Sequence, residues 1–111
     1  MEVQIRMPKF TVSMLDTRRR FKKHVGQTLY EIMAETHVED MAVRFPSQAA
    51  MVQLVKECFG AEIEVKDPET RYLYSLDVLI PAGTSLEHRT MFLARVACAA
   101  QLVPRRQKRT A

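Results

Sequence analysis

The chain has 111 residues, of which 47% are hydrophobic and 27% charged, with a formal net charge of +4. That length suits one domain with one core, and the composition excludes a wholly disordered chain. No stretch approaches the ~20 apolar residues of a membrane-spanning helix, and the opening MEVQIRMPKF, with an early acid and a proline, lacks the form of a secretory signal.

Residues 2–15 alternate, with Val3, Ile5 and Met7 in one phase and Phe10, Val12 and Met14 in the next. The phase slips at Pro8, which reads as a strand with a bulge or edge break, because proline cannot donate to a central ladder. Next comes RRRFKKH at residues 18–24, five Lys or Arg and no acid. Two readings fit this region. In the first, Asp16 or Thr17 starts a helix running to His37, with Phe21, Val25, Leu29, Ile32, Met33 and Thr36 on its apolar face. In the second, residues 16–19 turn, residues 20–25 return as a strand, and a helix begins at the capping box Thr28-x-x-Glu31 after Gly26. The unbroken stripe favours the first, and both make residues 29–37 helical.

Residues 41–45 read as a short strand stopped by Pro46, and Ser47 is placed to cap a helix over residues 48–59. Met51, Leu54, Val55 and Cys58 share one face of that helix, and Gly60 follows as its stop. Ile63 and Val65, the turn at residues 67–70, and then Tyr72, Tyr74, Leu76, Val78 and Ile80 predict an antiparallel hairpin with one buried face. The order from 41 to 80 resembles half of a ferredoxin-like fold in its sequence of elements, and brings no functional residues with it. Thr84-x-x-Glu87 predicts a last helix through Leu102, with Leu86, Leu93, Val96, Ala97 and Ala100 toward the core and Pro104 as its end.

The expected order is therefore β-α-β-α-β-β-α. It describes a single α+β domain over residues 1–103, a largely antiparallel sheet with helices packed on one face. A basic tail follows at residues 104–111.

Catalytic signatures are absent. The three glycines, Gly26, Gly60 and Gly83, form no phosphate loop, and no HExxH, CxxC or GxSxG occurs. His37 with Glu35, Glu39 and Asp40 is the one local set of metal-ligand types, and reads as a solvated helix end. His88 and Cys98 would stand about 15 Å apart along a helix, too far for a nucleophile–base pair. Cys58 and Cys98 are expected as reduced, buried, small hydrophobes, which implies a reducing intracellular compartment, cytoplasmic first and the mitochondrial matrix second. For the matrix, the Arg-rich first 24 residues argue in favour and Glu2 and Asp16 against. Tyr72 and Tyr74 could stack bases on a sheet, but their phase puts them in the core with Leu76, Val78 and Ile80. No cofactor, metal, membrane contact or small-molecule substrate is implied.

What remains is charge segregation. The run holds Arg18, Arg19, Arg20, Lys22 and Lys23, and the tail holds Arg105, Arg106, Lys108 and Arg109. Without these nine, eight basic residues face thirteen acidic ones, so the rest of the chain is net −5. Two dense cationic segments on an acidic body are the footprint of phosphate contact, with counterion release as the driving force. The expectation is a non-enzymatic accessory or structural protein docking on nucleic acid, RNA before DNA. The alternative is a protein-interaction module, such as a small regulatory or inhibitory subunit, meeting an acidic partner. An enzyme with a dispersed site ranks third.

Overall fold

The computed structural model describes residues 2–17, 26–60 and 75–105. The elements are β1 (Val3–Arg6), β2 (Phe10–Asp16), β3 (Gln27–Thr36), β4 (Met41–Arg44), α1 (Gln48–Phe59), β5 (Ser75–Pro81), α2 (Leu86–Ala99) and β6 (Gln101–Pro104). The fold is α+β, as expected, but the order of elements differs. Among the described residues, β1-β2-β3-β5 form an antiparallel four-stranded sheet, and β4 and β6 pair antiparallel in a second, two-stranded one.

The slip at Pro8 is a hairpin turn between two strands. Met7 N–H donates to the Phe10 carbonyl at 2.7 Å, and the register sets Val3 opposite Met14 and Ile5 opposite Val12. Two turn residues, Pro8 and Lys9, reset the alternation so that both phases face the core. A proline N–H is not needed there.

The larger correction concerns residues 27–36, which form a strand where both sequence readings place a helix. The Thr28-x-x-Glu31 pattern therefore caps nothing. β3 lies between β2 and β5, so Met14, Ile32 and Leu76 stand abreast, as do Asp16, Tyr30 and Val78. Val12, Met14, Ile32, Val78 and Ile80 lose all solvent contact. Leu29 and its partner Leu79 are buried on the opposite face. With apolar residues on both faces, the period-2 signal is erased, and Leu29, Ile32, Met33 and Thr36 imitate helical spacing.

Residues 41–60 fold as the sequence dictates. Ser47 accepts from Ala50 N–H at 3.2 Å to cap α1, Met51, Val55 and Cys58 are buried, and Gly60 closes the helix at φ 66°. That left-handed backbone is natural to glycine and strained for other residues. β4 and β5 belong to different sheets, so the ferredoxin-like half does not form.

The cap of α2 is Ser85, one residue later than expected, accepting from His88 N–H at 3.1 Å. Phe92, Leu93, Val96 and Ala97 are buried, whereas Leu86 is 46% exposed, contrary to its core assignment. α2 ends at Ala99, and Gln101–Pro104 is a strand. A proline at 104 would clash with the carbonyl four residues back and pushes Val103 to extended backbone. Leu102 and Val103 then pair with Val43 and Ala42. α2 packs on β1 and β2, and α1 on α2 and β5, so the helices cover the sheet face that carries the core.

Two outcomes check this fold. Ile32→Ala should lower stability by about 2–5 kcal/mol, because its site is sealed, while Met33→Ala, 40% exposed, should change it by less than about 0.5 kcal/mol. Denaturant unfolding reads both, and comparable losses would restore the helical reading. Cys58 is buried but Cys98 is exposed, which corrects the expectation for the second thiol. A thiol reagent should therefore modify one cysteine of the native protein, Cys98, and reach Cys58 after denaturation.

Candidate nucleic-acid interface

Of the nine cations assigned to phosphate contact, Arg105 is the one within the described residues. Arg18, Arg19, Arg20, Lys22, Lys23, Arg106, Lys108 and Arg109 lie outside them, as do Phe21, Tyr72, Tyr74 and the first strand of the expected 63–80 hairpin.

The flanks of the run are well defined. β2 and β3 pair from Phe10 opposite Thr36 to Asp16 opposite Tyr30. Thr17 extends that pairing, its N–H and its hydroxyl both donating to the Leu29 carbonyl, at 3.2 and 3.1 Å. On the other flank, the Gly26 carbonyl accepts from Ala82 N–H at 2.9 Å. Residues 18–25 thus connect two neighbouring antiparallel strands at one end of the sheet. A single helix over residues 16–37, the first sequence reading, is incompatible with β3.

The tail starts elsewhere. Pro104 is the register partner of Met41, and Arg105 N–H donates to the Asp40 carbonyl at 2.8 Å. Asp40 takes a left-handed φ of 62° in the turn that follows β3, a conformation aspartate tolerates better than most residues. The ten residues of β3 separate the flanks of the run from this turn by roughly 30 Å at ~3.3 Å per residue. Arg105 itself is exposed.

His37 is no helix end. It follows β3, with its N–H donating to the Lys9 carbonyl at 2.9 Å and its Nε2 hydrogen-bonded to the Thr11 hydroxyl at 3.1 Å. A concavity of about 600 Å³ is lined by Arg6, Met7, Pro8 and His37. Sequence reasoning passed over Arg6 and Lys9 because each is isolated along the chain.

A second cluster joins the helices. His88 Nε2–H donates to the Cys58 carbonyl near the end of α1, and the His88 ring lies 4.7 Å from that of Phe59, which stands 5.2 Å from Phe92. Arg95 reaches Glu57 at 2.5 Å and the Cys58 sulfur at 3.8 Å. The sequence pairing of His88 with Cys98 was rejected on distance, and the fold instead brings His88 to Cys58. An N–H donated to one of the last carbonyls of α1 satisfies an acceptor the helix itself leaves unpaired, so the cluster reads as a clasp between helices. Arg89 caps the core similarly, 5.5 Å over the buried Tyr30 ring, a cation–π contact.

No protein-family model, curated protein or solved structure matches the chain. Among the described residues, no group of three or more His, Cys, Asp or Glu could hold a metal ion, and no helix is long and apolar enough to cross a membrane.

The clasp yields a pH prediction. Hydrogen bonds from Gln53, first, and Arg95 hold the Glu57 carboxyl below its ordinary value. A carboxyl lowered in the folded state contributes stability above its unfolded value and loses that contribution as pH falls through the folded value. Glu57→Gln should therefore flatten the acid limb of the stability–pH curve below the ordinary carboxylate range and leave its slope above neutral pH unchanged. Thermal unfolding across pH reads the difference.

Proposed function

We propose that the protein is a non-enzymatic accessory or structural component of a nucleoprotein assembly, docking on nucleic acid, RNA in the first place, through phosphate contacts. The observation that carries this reading is the segregation of nine cations into residues 18–23 and 105–109 of a chain otherwise net acidic. Five cations within six residues can neutralise several successive phosphates, and the released counterions supply the free energy. Arginine and lysine in such runs contact the sugar–phosphate backbone, which positions a protein without reading sequence.

Two described features support it. Residues 18–25 join adjacent strands, and such a connection is anchored on both sides by backbone pairing. The C-terminal segment is also tied at its base, through Arg105 and Asp40. Each basic segment thus adjoins a flank held by backbone hydrogen bonds.

A second reading, an interaction module meeting an acidic protein, draws on Met91 at 50% and Leu86 at 46% exposure on α2. Large apolar side chains there could supply the hydrophobic part of a protein contact. A native pull-down with and without nuclease separates the two: a partner that survives nuclease favours the module.

The decisive expectation concerns salt. Affinity for generic single-stranded RNA should fall steeply as salt rises, and changing Arg18, Arg19, Arg20, Lys22 and Lys23 to Gln should reduce the log–log slope by about 3.5, at ~0.7 per phosphate contact. No binding at low salt, or an affinity independent of salt, contradicts the proposal.

A further inference from the structure

The β1–β2 turn and the end of β3 meet at the end of the sheet remote from residues 18–25. The Lys9 carbonyl accepts from His37 N–H at 2.9 Å and from the Thr36 hydroxyl at 3.5 Å, and the Thr11 hydroxyl bonds the His37 ring at 3.1 Å. These bonds fix the wall of the 600 Å³ concavity formed by Arg6, Met7, Pro8 and His37. Lys9 occupies the same turn, and all three basic side chains are exposed. Among the described residues, neither Arg6 nor Lys9 is ion-paired. The acids at this end are Glu35, the register partner of Thr11, and Glu39 and Asp40 in the following turn.

A guanidinium offers a planar fork of donors matched to phosphate oxygens, and an ammonium adds a compact charge. The hydroxyl of Thr11 orients the imidazole, and Met7 and Pro8 give the groove an apolar side. We propose that this groove, lined by Arg6 and His37 and adjoined by Lys9 in the β1–β2 turn, is a phosphate-binding site, which takes a backbone phosphate of the bound nucleic acid. The assignment rests on the nucleic-acid reading above and deepens it, because it adds a contact on the folded body to those of the two basic segments. Arg105, the first cation of the C-terminal segment, is bound through its N–H to the Asp40 carbonyl in the β3–β4 turn, three residues beyond His37.

The test uses the full chain and the R6Q/K9Q/H37Q variant with two probes: inorganic phosphate, followed by NMR through the His37 ring and the Arg6 side chain, and a single-stranded RNA oligonucleotide titrated over a salt series. Saturable phosphate shifts are expected in the unmodified protein. The variant should lose about 1.4 from the RNA log–log slope, two contacts at ~0.7 each. R6Q alone leaves the bonds of His37 and Lys9 intact and should lose about half as much, which separates lost charge from lost fold. Absence of phosphate shifts overturns the site, as does an unchanged slope in the triple variant when neutralising residues 18–23 still weakens RNA binding. If the unmodified protein binds phosphate but no RNA, the nucleic-acid reading falls, and with it the assignment of the phosphate to a backbone.

Discussion

The double pairing of β3 is the constraint on which the rest of the structure depends. Ile32 stands between Met14 on one neighbour and Leu76 on the other, and both Met14 and Ile32 are sealed from solvent. A slip of one residue on either side would turn this row out of the core, so the register is strongly specified. The helices then have one surface to cover. Phe92, Leu93 and Val96 of α2 and Met51 and Val55 of α1 close over the sheet without solvent contact, and the contacts of His88 with Cys58 and Phe59 lock one helix to the other.

The same strand organises the surface chemistry. One end of β3 adjoins the flanks of the arginine-rich run, and the other adjoins the turn from which the tail departs. What began as two clusters on a sequence is thus bounded at opposite ends of a rigid element: Thr17 and Gly26 flank the first run at one end, and Arg105, which leads into the second, is bound to Asp40 at the other. A polyanion engaging both ends must be long enough to span them. In the proposed nucleic-acid reading, such a span calls for an extended phosphate backbone, whose charges recur along the strand.

The sequence was legible wherever local chemistry and tertiary context agree. Helix α1 follows from a serine cap, an apolar face of Met51, Val55 and Cys58, and a terminal glycine, and it forms with those bounds. The alternation of Leu76, Val78 and Ile80 likewise marks a strand, and those three are buried, although Leu79 is buried on its other face as well. β3 was misread because Leu29 and Tyr30 are both buried although adjacent, which breaks period-2 patterning and leaves helical spacing behind. β6 was missed because nothing near Ala99 signals a stop except Pro104, five residues on. The pairing of Leu102 with Val43 is non-local, and no window of sequence contains it. For the candidate site, the dense runs were visible by composition, whereas Arg6, Lys9 and His37 become a group through the hairpin and the β2–β3 register alone.

The most direct test of the account is photo-crosslinking of the full chain to single-stranded RNA at low salt, with the modified peptides identified by mass spectrometry. The account predicts adducts in residues 18–24, in the C-terminal basic segment, and around Arg6, Lys9 and His37, all suppressed by high salt. Adducts confined to the exposed face of α2 around Leu86 and Met91, or adducts indifferent to salt, would contradict it.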